Sequence, residues 1–284
     1  MLNLQIHSNE SLLVDQVLRT PSVYLDHWAL LDISKDPALK ARLGDALCKK
    51  GGTLVLSWVN LMEFSKITDL AQVALAEALI EDVLPNIFFL EANPFTVIEK
   101  ENALLLGGQI EAPHADNDFL KAFILSQQSV KLFSVQDIFV EASKWGSNQF
   151  DELCDVIVDR VEVLRGAMDS DADFEKHIKS LPPGPAIQRG TRHVLRELVR
   201  VLLIDRYVKM TKNHAADLYH AVVPIAYCDF VLLDKHWEAQ IEKVRLRFES
   251  TKVSVPLSRT YSRKENGLSR FLTDLESGVV ELER

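Results

Sequence analysis

The sequence predicts an α/β protein with a central parallel, helix-covered sheet and a large all-helical insertion. Three observations predict it. Over residues 1–93, short apolar, β-prone runs alternate with stretches of helical periodicity, the pattern of a helix-covered parallel sheet. Over 94–209 the helical spacing continues without a convincing strand, as expected of an inserted helical cap. The alternation resumes over 210–284, which closes the core and ends in a tail.

The first strands are VYL at 23–25 and TLVLS at 53–57. Between them DPALKARLGDALCKKGG has a helical period that stops at Gly51 and Gly52, as a glycine C-cap requires. LMEFSKITDLAQVALAEALIEDVL then repeats apolar residues at helical spacing until Pro85, and IFFL at 87–90 is the third strand. Helix-like segments of the insertion include DNDFLKAFILSQQSVKLF, SVQDIFVEASKWG and NQFDELCDVIVDRVEVLRGAM. LPPGP at 181–185 interrupts it, because proline lacks the amide donor and disfavours α geometry in the residue before it. The second part of the core opens with a helix around Ala215 to Cys228, kinked at Pro224. A buried strand FVLL, a helix from His236 to Arg247 and a β-like TKVSV before Pro256 follow. RTYSRKENG reads as an exposed loop, and SRFLTDLESGVVELER as one last short helix.

At 284 residues the chain is either one large elaborated domain or two. A hydrophobic share of 47% with 26% charged residues excludes global disorder. No run approaches ~18 uncharged apolar residues, so no membrane span is expected. MLNLQIHSNES lacks a basic start followed by an apolar stretch, so a cytoplasmic protein is the expectation. Cys48, Cys154 and Cys228 show no CxxC spacing and read as small core residues. With 32 basic and 41 acidic residues the net charge is −9, which disfavours nonspecific attraction to nucleic acid. The charge is uneven, however. Between Gln188 and Lys212, Arg189, Arg192, Arg196, Arg200, Arg206, Lys209 and Lys212 face only Glu197 and Asp205, so this segment carries +5 and the remainder −14.

Four acids stand at the ends of apolar runs: Asp26 closing SVYLD, Glu63 after TLVLSWVNLM, Asp217 in NHAADLYH, and Asp234 closing FVLLD. An Asp at the carboxyl end of a buried parallel strand points into the crevice where such sheets bind ligands. Carboxylates gathered there repel, at about 4 kcal/mol per pair for ~4 Å and an effective dielectric near 20. A divalent cation removes that repulsion. Oxygen donors with few histidines favour Mg²⁺ or Mn²⁺ over zinc, and those ions keep waters that can be exchanged for phosphate.

These residues resemble the PIN-domain nucleases, including the ribonuclease toxins of bacterial toxin–antitoxin pairs. The family's first strand ends in an Asp, matched by VYLD with Asp26; a Glu follows the second strand on a helix, matched by SWVNLME with Glu63. A third Asp lies on a later helix, matched by Asp217, and a fourth acid follows the next strand, matched by VLLD with Asp234. The resemblance covers about residues 20–93 and 210–255. Leu232 stands where the family usually has a hydroxyl residue, and the insertion exceeds what the compact toxins carry. The resemblance implies a PIN-like α/β/α sandwich that cleaves RNA, single-stranded by expectation, with Mg²⁺ or Mn²⁺ held by the four acids. An inhibitor or partner protein and a homodimer are among the partners it suggests. The competing expectation is a catalytically inactive PIN-like scaffold that binds RNA or a protein through the helical insertion.

Bland roles compete at every position. Asp26 suits a helix N-cap and Glu63 a first-turn acid, while Asp217 lies with Asn213 and His220 on a polar stripe of an apolar helix. Asp229 precedes the strand FVLL, at the end opposite Asp234, and reads as a loop cap. His27, Asn213, His220, Lys235 and His236 flank the acids, where they can orient water or phosphate but read first as structural or surface residues. Arg192, Arg196 and Arg200 fall four apart on one helix face and, with Asn213, are the candidate substrate contacts; a solvated face paired with Glu197 is the alternative. DSDADFEKHIKS lacks the turn glycine and final acid of an EF-hand, and neither GxGxxG, GxxxxGK[ST] nor GxSxG occurs. A phosphatase of another α/β family would want a second Asp two residues after Asp26, where Trp28 stands.

Overall fold

The computed structural model describes residues 1–6, 12–109, 112–126, 134–182, 190–206 and 208–278. The main sheet has five parallel strands: β3 (Ser22–Leu25), β4 (Thr53–Leu56), β5 (Ile87–Phe89), β6 (Phe230–Leu232) and β7 (Arg259–Tyr261). Their spatial order is β5-β4-β3-β6-β7, with Tyr24 of β3 in register with Val55 on one side and Val231 on the other. Every residue of β3, β4, β5 and β6 is buried, as in a parallel sheet covered on both faces. From β3 the chain moves outward through β4 to β5, then returns to lay β6 and β7 on the other side of β3. The order therefore reverses at β3, which opens a crevice at the carboxyl ends of β3 and β6.

Helices fill the connections. α1 (His27–Lys35) and α2 (Pro37–Lys50) join β3 to β4; α3 (Trp58–Ser65) and α4 (Leu70–Asp82) join β4 to β5. Local chemistry sets the breaks. Asp36 ends α1 and caps α2, accepting bonds from the Ala38 and Leu39 amides, with Pro37 at the first helical position. Gly51 closes α2 at φ 62°, the left-handed C-cap that its sequence predicts. The run 61–84, expected as one helix, divides because Asp69 caps a new helix through the Ala71 amide.

After β5 come α5 (Pro94–Leu105), α6 (Asn117–Ser126), α7 (Ile138–Ser170), α8 (Ala172–Ser180) and α9 (Thr191–Ile204). Ala115 adds an isolated bridge to Leu90. The stretch tested as an EF-hand loop is helical, with Asp171 capping α8. Pro183 to Pro185 and Arg189 lie outside the described residues. α7 packs on α3 and on α10 (Lys212–Tyr227), and α9 packs on α5, on α10 and on α11 (Lys235–Thr251). One continuous apolar core joins these helices to the sheet. Glu197 of α9 is buried within it, with Nε of Arg200 at 2.8 Å and Nε of Arg247 at 2.7 Å.

Three expectations change. Residues 2–16 contain an antiparallel hairpin, β1 (Leu2–Ile6) with β2 (Leu12–Gln16), where no element was expected. It is fastened beside β5: Gln16 accepts the Phe89 amide at 2.7 Å and donates to Asn117 at 2.9 Å. TKVSV is not a strand, because α11 runs to Thr251; the fifth strand is RTY, within the presumed loop. Its half-exposed Arg259 and Thr260 suit an edge position. Cys154 and Cys228 are buried, but Cys48 is exposed near the end of α2. The final helix, α12 (Gly267–Ser277), seals β6 and β7 with Phe271, Leu272 and Leu275, and residues 279–284 lie outside the described residues. Among the described residues no helix is long and apolar enough to cross a membrane.

Candidate metal centre

Asp26 leaves the end of β3 and caps α1, its carboxylate accepting the His27 amide at 2.6 Å. Its own amide donates to the Leu232 carbonyl at 3.1 Å, which seats it beside β6 at the strand-order reversal. Glu63 comes from α3, whose start is set by Ser57 accepting the Asn60 amide. Asn60, one turn before Glu63, donates its side-chain amide to the Leu25 carbonyl at 2.9 Å, pinning α3 to the residue before Asp26. His220 lies on α10 three residues after Asp217, so both project from one helix face.

One ligand atom from each of Asp26, Glu63 and His220 falls within 4.8 Å of the others. His220 is buried; its Nε2 is 3.1 Å from a Glu63 oxygen and its Nδ1 is 2.8 Å from the Tyr24 hydroxyl. That hydroxyl also lies 3.2 Å from the Ser57 hydroxyl. On the open side, Nδ1 of the half-exposed His27 sits 3.1 Å from Asp26 and 3.4 Å from Glu63.

The electrostatics follow from this packing. Burial works to raise the Glu63 carboxyl, but His220 and His27 overcome it and hold the group well below the usual carboxylate range. Hydrogen bonds to Asp26 and Glu63 push His27 up to about 10. Burial opposes the charging of His220, yet Glu63, Asp26 and Asp217 together raise it. Asp217 is raised to about 6, first by burial, with Asp234 and Glu63 adding like charge against the opposing pull of His220. The two histidines thus supply positive charge to a group of acids that a divalent ion can also neutralise.

Two observations fit a cation. Nε2 of His220 is buried with no hydrogen-bond partner, although a Glu63 oxygen lies 3.1 Å away. Asp26, Glu63 and His220 offer two carboxylates and one imidazole, a donor set suited to a divalent metal.

Of the four predicted acids, Asp26 and Glu63 meet directly. Asp217 is close enough to feel Glu63, Asp234 and His220 but does not belong to the tight group. Asp234 is exposed and caps α11, accepting the Trp237 amide at 2.8 Å. Asp229, read as a loop cap, instead binds the amide and hydroxyl of Ser22 at the opposite end of the sheet. Asn213 is exposed one turn before Asp217. The arginine row is engaged within the protein: Arg192 donates to Asn102, Arg196 to the Pro182 carbonyl, and Arg200 to the buried Glu197. His220 is the main residue that a search for acids passes over. Its signal is the Asp-x-x-His spacing on α10, matched by Asn-x-x-Glu on α3, each of which puts two polar groups on one helix face.

No protein-family model, curated protein or solved structure matches the chain.

Proposed function

We propose that this protein is a PIN-like, metal-dependent nuclease that hydrolyses phosphodiester bonds, with single-stranded RNA as the substrate class. The observation that carries the proposal is the meeting of Asp26 and Glu63 with His220, beside Asp217, in the crevice where the strand order reverses. Asp26, Glu63 and His220 would hold Mg²⁺ or Mn²⁺. The ion would supply positive charge for the scissile phosphate and acidify a bound water. Asp217, with its carboxyl near 6, is suited to accept the proton of the attacking water. Asn213, in the first turn of α10, would donate to the phosphate chain, and Asp234 at the α11 N-terminus would accept from waters of the site. RNA as the substrate and an inhibitor protein as a partner are what the resemblance to the PIN-domain nucleases implies.

The test is cleavage of single-stranded RNA with Mn²⁺, abolished by chelator and by Asp26→Asn and Asp217→Asn in protein that stays folded. Undiminished cleavage by both variants overturns the proposal. The competing scaffold function draws on Asp234, which is already occupied as a helix cap, and on His27, which already neutralises Asp26 and Glu63. Titration with metal separates the two. A scaffold shows no metal-dependent rise in unfolding temperature, whereas a binding site stabilises the native state by mass action.

A further inference from the structure

We propose that the site takes a first-row transition-metal dication in preference to Mg²⁺, because His220 is a nitrogen ligand and Tyr24 is the positioning residue that turns its Nε2 toward the ion. This rests on the metal-site assignment above and specifies which ions that site accepts.

An imidazole binds a metal through a nitrogen that carries no proton, so the other nitrogen must carry one and needs an acceptor. Tyr24 provides it. Its hydroxyl oxygen lies 2.8 Å from Nδ1 of His220, and the Ser57 oxygen, 3.2 Å away, is within reach of the phenolic proton. With His220 donating from Nδ1 and Tyr24 donating to Ser57, Nε2 is left with its lone pair facing Asp26 and Glu63. Nε2 is also the buried atom that lacks a well-formed hydrogen bond. The three supporting groups are held by the fold: Tyr24 is buried at the middle of the central strand, Ser57 caps the helix that carries Glu63, and His220 is buried on α10.

The consequence is selectivity. Mg²⁺ prefers an all-oxygen octahedron and gains little from imidazole, whereas Mn²⁺, Co²⁺ and Zn²⁺ accept it with affinity rising along the series to copper. A nitrogen ligand therefore separates Mg²⁺ from the transition ions in a way that carboxylates alone do not.

The experiment loads full-length protein with Mg²⁺, Mn²⁺ or Co²⁺, reads the metal-dependent rise in unfolding temperature, and records the nitrogen coupling to bound Mn²⁺ by pulsed electron paramagnetic resonance. Wild type should bind Mn²⁺ and Co²⁺ at least about tenfold more tightly than Mg²⁺ and show coupling to one imidazole nitrogen. His220→Asn keeps a side-chain amide toward Tyr24 but removes the ligand; it should lose the coupling and the preference. Tyr24→Phe should weaken Mn²⁺ binding by about 10- to 100-fold, the usual effect of losing such a support, and leave weak Mg²⁺ binding unchanged. Asp26→Asn is the control for the site itself. If Asp26→Asn abolishes binding while His220→Asn keeps both affinity order and spectrum, the ligands are all oxygen and the present inference fails alone. If wild type binds none of the three ions, the metal-site assignment fails with it. Metal-free unfolding of each variant separates loss of a ligand from loss of the fold.

Discussion

Asp217 combines two opposing demands in one carboxyl group. Because burial raises it to about 6, the folded protein binds a proton between about pH 4 and 6 that the unfolded chain has released. Stability of the metal-free protein therefore falls as pH rises through that window. Asp217→Asn removes the buried charge and should stabilise chelator-treated protein at pH 8 by about 1–3 kcal/mol in urea unfolding, while abolishing RNA cleavage. A destabilised variant would show that Asp217 acts as a structural ion-pair partner instead. Asp116 offers the same logic away from the metal group. It is raised to about 7 by burial and by the neighbouring Glu91, and it caps α6 through the Phe119 amide at 2.9 Å. Asp116→Asn keeps that acceptor. The wild type should lose stability from about pH 4 to 7 relative to this variant, which should be more stable at pH 8 by on the order of 1–3 kcal/mol.

At the scale of elements, the ends of helices decide where the polar groups meet. Ser57 caps α3 and touches Tyr24, so Ser57→Ala should cost about 1 kcal/mol of stability and weaken Mn²⁺ binding as well. A cap without a second role would change only the first measurement. Gly267 begins α12 against the Ser262 carbonyl, where an added Cβ would collide with backbone. Gly267→Ala should therefore cost about 1–3 kcal/mol by pushing α12 off β6 and β7. Much of this architecture is legible in the residues. β3, β4, β5 and β6 are continuous apolar runs, and Gly51 and Pro85 mark ends that the structure keeps. β7 is not legible, because RTY becomes a strand only by pairing with β6. The β1–β2 hairpin is not legible either, because its anchor, Gln16, gives no local sign of its bond to Phe89. Asp26 and Glu63 can be read from the order of acids along the chain. Tyr24 cannot, since one strand residue looks like ordinary core until the residue 196 positions away comes beside it.

Across the whole molecule, the helices of residues 94–209 share an apolar core with the sheet rather than standing apart from it. Trp58 of α3 packs edge-on against Phe150 of α7, and Phe64 stacks on Phe139. Far-ultraviolet circular dichroism and tryptophan fluorescence should therefore report one coincident unfolding transition; two separated transitions would show that the helical layer folds independently. Glu197 ties α9 to α11 through Arg247 and is the buried counter-charge to two guanidinium groups. Glu197→Ala leaves those cations uncompensated and should cost about 3–5 kcal/mol.

The crevice residues come from the tip of a strand, from a helix 37 positions on, and from a second helix more than 150 positions beyond that one. No short excerpt of the polypeptide contains enough of them to grip an ion. Cation release would then serve as a built-in gauge of integrity: whatever loosened α3 or α10 would discharge an ion held there before the molecule unravelled.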